Sequence, residues 1–157
     1  GEDLTPEEAV RRAEAAGGPI PVGFRAPVAA CVLRVGPDFG LLNFKCLDAP
    51  HFRPREVVNQ FWFGVTHYKA RLVAFNGRSF DLPLMELAAF RYGIQARDYY
   101  LARDRYRGPI DLSDWFTNFG AADGLWPGAG GLAVLTRLLG RPVRPRPPAG
   151  APLPAVN

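Results

Sequence analysis

Residues 72–94 read LVAFNGRSFDLPLMELAAFRYGI, and their reading decides the fold. Arg71 to Phe75 is a short apolar run with the pattern of a strand. Asn76-Gly77 breaks it sharply. Leu84, Leu87, Ala88 and Tyr92 then recur at helical steps, which predicts a helix over Leu82–Tyr92 with those residues facing inward and Gly93 closing it. Asp81 therefore falls where the carboxyl end of a strand meets the N-terminus of a helix, a common place for ligand sites in α/β proteins. Gly77 is expected to supply a positive φ, and Phe80 to bury its ring and hold the turn rigid. Two roles stay open for Asp81 on this reading: the N-cap of the helix, or a hard oxygen ligand for Mg²⁺ or Mn²⁺.

Upstream, Pro27–Val35 (PVAACVLRV) is rich in small and branched apolar residues and predicts a buried strand. Gly36-Pro37-Asp38 supplies turn chemistry, and Gly40–Leu47 (GLLNFKCL) predicts the returning strand of a hairpin, ended by Asp48-Ala49-Pro50. Arg53–Thr66 predicts a helix whose apolar face is Val57, Val58, Phe61, Trp62 and Val65. Near the start, Thr5, Pro6 and Glu8 form a capping-box signature, and Gly17-Gly18 stops that helix. Downstream, a Tyr- and Arg-rich loop spans Gln95–Pro109, a further segment runs from Ile110 to Phe119, Gly120–Gly130 is a loop, and Gly131–Leu139 predicts a last helix. Hairpin, helix, strand and helix in this order argue for an α/β or α+β domain with a mixed sheet.

FNGRSFDLPLMELAAF, with its Asn a few residues before an aromatic-Asp pair, resembles the second exonuclease motif of the DEDD superfamily. It is most similar to predicted 3'→5' exonucleases of the polymerase-B-like kind. PIPVGFRAPVAACVLRV resembles the family's second strand, and Ile110-Asp111-Leu112-Ser113-Asp114 resembles its DL-x-D segment. The resemblance implies a ribonuclease-H-like α/β fold, a mixed sheet flanked by helices, here without the first central strand. It divides the chain into an N-terminal helix (1–18), a partial exonuclease-like domain (19–140) and a Pro/Arg-rich tail (141–157). It further implies two-metal phosphodiester hydrolysis from the 3' end of single-stranded nucleic acid, DNA in preference to RNA.

Asp81 then matches the motif's catalytic, metal-binding carboxylate. Asn76 matches the residue that shapes the site beside the substrate strand, and Gly77, Arg78 and Phe80 join it as nucleic-acid contacts. The family site uses four acids and Mg²⁺ or Mn²⁺, yet this sequence has no D-x-E, and no Tyr-x3-Asp or His-x4-Asp follows Leu139. One carboxylate cannot hold two divalent ions together, so the ions are not expected to bind tightly and this chain alone is expected to be inactive. The rival expectation is a non-catalytic relative that grips nucleic acid. Tyr100 and Asp104 share the Y-x3-D spacing but lie too early in the chain, and Asp111 and Asp114 are expected to cap and to face solvent.

The remaining signals narrow the alternatives. The formal charge is +4, but the last 17 residues hold three arginines and no acid, leaving the rest near neutral with no general electrostatic case for phosphate binding. That tail also carries six prolines and predicts disorder or a shifted reading frame. With no initiator methionine, both ends are expected to be cut. Arg97, Arg103, Arg105 and Arg107, interleaved with tyrosines, form the best basic loop for a nucleic-acid backbone. Phe61-Trp62-Phe63 is expected to be core rather than a stacking platform. His51 and His67 lack metal-ligand spacing, so zinc is not expected. Cys31 and Cys46 predict two core thiols in a reducing, cytoplasmic protein, and no apolar run approaches the roughly 18 residues of a membrane span. A missing central strand would leave bare edges, so the isolated chain is expected to be poorly stable and prone to aggregation.

Overall fold

The computed structural model describes residues 5–18, 20, 22–69, 71–96, 99, 109–119 and 131–140. The expected basic loop (Arg97, Arg103, Arg105, Arg107), the Tyr100/Asp104 pair, the 120–130 loop and the 141–157 tail lie outside the described residues. The chain divides into two compact units, residues 1–112 and 113–157.

The first unit opens with α1 (Pro6–Ala15). The expected capping box is present: Thr5 Oγ1 accepts from the Glu8 amide at 3.3 Å, and the Glu8 carboxylate accepts from the Thr5 amide at 2.8 Å. A turn of 3-10 helix (Val22–Phe24) leads to β1 (Cys31–Val35) and β2 (Leu41–Cys46), which pair as an antiparallel hairpin. Next come α2 (Pro54–Tyr68), β3 (Val73–Ala74), α3 (Asp81–Tyr92) and β4 (Ile110–Asp111). β4 pairs parallel to β3 in the register Val73↔Ile110, Ala74↔Asp111. Parallel strands need a crossover, and α3 supplies its helix. The fold is thus mixed α/β. Rather than one continuous mixed sheet, the described strands form two separate two-stranded sheets.

The core lies between α2 and α3. Val57, Val58 and Trp62 bury the α2 face that its periodicity marks, with Phe61 and Val65 packed at its margin. On α3 the buried positions are Leu82, Met85, Ala88 and Ala89. Ala88 is buried and Tyr92 packs against the core as expected, whereas Leu87 is exposed and Met85 rather than Leu84 is buried; the small residues let the two helices approach. Trp62 fills the centre at 1% exposure, and its indole Nε1 donates to the Met85 carbonyl at 3.1 Å.

The hairpin departs most from expectation. Only its inward side, Ala30, Val32 and Leu47, joins the core, while Leu33, Val35, Leu42 and Phe44 are exposed. The expected core thiols are likewise displaced, Cys31 being exposed and Cys46 half-buried. The alternation of a strand sends Cys31 and Leu33 to the side opposite Val32, where no described element covers them. No described helix is long and apolar enough to cross a membrane.

Asp48 ties the hairpin to α2. It is buried, and Arg53 Nη2 and Nε donate to its two oxygens at 2.7 and 2.9 Å while the Arg53 amide donates at 2.8 Å. The Arg53 guanidinium holds the Asp48 carboxyl down at about 2. A carboxyl whose pKa is depressed on folding contributes stability that is complete above its unfolded value. Urea unfolding at a series of pH values should show this contribution disappearing from about pH 4 toward pH 2, and Asp48→Asn should flatten that limb.

In the second unit, Thr117 Oγ1 donates to the Ser113 carbonyl at 2.8 Å, closing the helix α4, which begins at the boundary (Leu112–Phe116). The last helix, α5 (Gly131–Leu138), forms within one residue of its expected bounds.

Candidate functional site

β3 ends at Ala74, and the chain turns through Asn76–Phe80 before α3 begins at Asp81. The positive φ expected at Gly77 occurs instead at Asn76, with φ 58°. Asn tolerates this left-handed conformation better than most residues. Gly77 is required for a different reason: a Cβ there would stand 2.4 Å from the Ala74 Cβ and 3.5 Å from Asp81 Oδ2. Gly77→Ala is accordingly expected to cost about 1–3 kcal/mol by overpacking. Gly64→Ala, within α2 where the added Cβ meets nothing within 4 Å, should instead gain about 0.5–1 kcal/mol. Chemical denaturation of the two variants checks both signs.

Asp81 is the first helical residue, and the N-cap position belongs to Phe80. The carboxylate stays exposed beside the turn. Burial by the turn raises its pKa, its own backbone amide lowers it, and the negative charge of Asp111 raises it further. A raised carboxyl pKa means the charged form is less comfortable folded than unfolded.

The sequence reading assigned Asp111 to capping and solvent, and the structure corrects this. Asp111 is 3% exposed, and its two oxygens accept the Asn76 amide at 2.7 Å and the Arg78 amide at 3.0 Å. It is the buried brace of the Asn76-Gly77-Arg78 turn, placed there by the β3–β4 register that sets Ala74 opposite Asp111. The signal in the sequence was an Asp between two apolar residues, Ile110 and Leu112, in a short strand. Its partner was invisible because it lies over 30 residues away.

Phe80 is corrected as well. Its ring is 41% exposed rather than buried, and the Arg25 guanidinium lies over it, 5.2 Å from the centroid. Arg78 extends outward and donates from Nη2 to the Pro109 carbonyl at 3.3 Å. The structure thus gathers Asn76, Gly77, Arg78, Phe80 and Asp81 on one turn and adds Asp111 and Arg25, which the sequence did not nominate.

Each Asp111 oxygen already accepts an amide, Asp81 is the one carboxylate that the turn presents outward, and no group of three or more potential metal ligands occurs among the described residues. An open depression of about 480 Å³ lies elsewhere, lined by α2 residues such as Arg55, Asn59 and Phe63 and by Gly93–Gln95, and includes none of the turn.

A strand–turn–helix with an outward carboxylate, set among small sheets and helices, defines the class as a mixed α/β protein. A family model described as "predicted 3'-5' exonuclease related to the exonuclease domain of PolB" matches residues 20–124. The chain belongs to that family. No curated protein and no solved structure matches it.

Proposed function

We propose that the chain carries the second-motif portion of a 3'→5' exonuclease domain of ribonuclease-H-like fold, with Asp81 as a divalent-cation ligand for Mg²⁺ or Mn²⁺. The complete domain would cleave phosphodiester bonds at the 3' end of single-stranded nucleic acid, DNA in preference to RNA. Asn76, Gly77, Arg78 and Phe80 would border the strand being trimmed. The observation that carries this reading is the Asp81 carboxylate, exposed at the first position of α3 beside a turn braced by Asp111. The family membership supplies the reaction class.

The same geometry supports inactivity of this polypeptide by itself, since one outward carboxylate cannot organise two ions. Incubating the purified chain with a 3'-labelled single-stranded oligonucleotide and Mg²⁺ or Mn²⁺ should yield no shortened product. Shortening that disappears in Asp81→Asn would refute inactivity while upholding the assignment of Asp81. Cation binding has its own readout: Mn²⁺ should broaden the amide NMR signals of residues 76–82 in the native chain and leave them sharp in Asp81→Asn. Equal broadening in both proteins would remove Asp81 from the site.

Asp81→Asn has a second expected outcome. The folded state holds the Asp81 pKa up, so the ionised carboxylate opposes folding above that pKa and the opposition is relieved as pH falls through it. Replacing it with Asn should therefore raise the melting temperature at neutral pH, with the difference from the native chain vanishing in acid. The alternative function, a non-catalytic relative that grips nucleic acid, draws on the exposed Phe80 ring beneath Arg25. It requires oligonucleotide binding, read by fluorescence anisotropy, that Asp81→Asn leaves unchanged and Phe80→Ala weakens.

A further inference from the structure

Cys31 and Cys46 face each other directly across the hairpin, and both are free thiols. Their position in the ladder matters. The Leu47 amide donates to the Ala30 carbonyl at 2.8 Å, so Ala30 and Leu47 form a hydrogen-bonded pair, and the next pair along, Cys31↔Cys46, is a non-hydrogen-bonded one. In antiparallel ladders such pairs have Cα atoms about 4.5 Å apart and side chains on the same face. That separation falls inside the range of about 4.4–6.8 Å that a disulfide spans. The Cys31 S–H donates toward Cys46, and this bond, then burial, hold the Cys31 thiol pKa up. Cys31 is exposed, so a reagent can reach it.

We infer that Cys31 and Cys46 form a cross-strand dithiol site that reacts with small-molecule disulfides and closes an intramolecular bond. The Cys31 thiolate, its proton lost to solvent, attacks one sulfur of RS–SR, forming a mixed disulfide and expelling RS⁻, which takes up a proton. The Cys46 thiolate then displaces the second RS⁻. Two protein S–H bonds and one S–S bond are replaced by one protein S–S bond and two RSH. The protein is oxidised by two electrons and the reagent reduced by two. The bond would staple β1 to β2 beside Leu47, where the hairpin enters the core. The site stands independently of the nuclease reading.

The test uses the full chain and glutathione disulfide, with mass spectrometry of products trapped by acid. The native protein should lose two hydrogens, carry no glutathione, and yield a linked Cys31–Cys46 peptide. Cys31→Ser should retain one glutathione on Cys46, because the resolving partner is gone. Repeated in concentrated urea, the equilibrium should show an effective concentration at least tenfold lower than in the native chain, since a flexible loop supplies only about millimolar proximity. Two retained glutathiones, mainly intermolecular dimers, or equal effective concentrations with and without urea would each overturn the proposal.

Discussion

Trp62→Ala should unfold much of the chain's stability, with an expected loss of about 3–5 kcal/mol in chemical denaturation. Trp62 is 1% exposed at the centre of the α2–α3 contact, and Phe61 and Tyr99 pack on its ring at centroid distances of 5.0 and 4.8 Å. Removing it leaves a void that Val57, Val58 and Met85 cannot fill without moving both helices. The loss is large beside the roughly 5–15 kcal/mol that keeps an ordinary domain folded. It is larger still for a chain whose hairpin leaves Leu33, Leu42 and Phe44 in solvent. Phe63, the next residue on α2, is 65% exposed. Phe63→Ala should therefore change stability by no more than about 0.5 kcal/mol. A comparable loss from both substitutions would mean that the core does not run through Trp62.

Asp111→Ala is the second large effect, about 2–4 kcal/mol, from losing two amide bonds to one buried carboxylate. The damage should be local as well as global. With the brace gone, the Asn76 and Arg78 amides must turn to water, and Asn76 is already held in a left-handed conformation. Amide hydrogen exchange should accelerate first at residues 76–79. Asp111→Asn is the informative companion. It keeps the volume but removes the charge, so the Asp81 pKa should fall as the neighbouring negative charge disappears. Carboxyl NMR titration of Asp81 reads this directly. An Asp81 titration indifferent to Asp111→Asn would mean that the two carboxylates do not sense each other, and the acidic site would reduce to one residue.

These two predictions separate what is legible in one dimension from what is not. The apolar face of α2 follows from side-chain spacing, because residues three and four apart share a face whatever they pack against. The capping box at Thr5–Glu8 and the stop at Gly93 are equally local, and both appear as expected. Asp81 at the strand–helix junction was legible for the same reason. On α3, Ala88 and Tyr92 were read correctly but Leu84 was chosen over Met85, since Leu and Met on neighbouring positions satisfy two faces nearly equally and only the partner helix chooses between them. The hairpin strands were expected to be buried because their composition is apolar. Burial, however, requires a covering layer, and composition cannot say whether one is present.

The sequence by itself determined the order of elements, the α2 half of the core and the turn that presents Asp81, all of which rest on contacts within a few residues. Tertiary structure alone decided that Asp111 braces that turn, that Gly77 is needed for clearance over Ala74 rather than for its torsion, that Arg25 covers Phe80, and that Cys31 meets Cys46. The physical reason is common to all four. A carboxylate's role, a thiol's partner and a glycine's necessity depend on which atoms stand within a few ångströms. For Asp111 and for the two thiols, the backbone pairings that bring them there join residues more than ten positions apart.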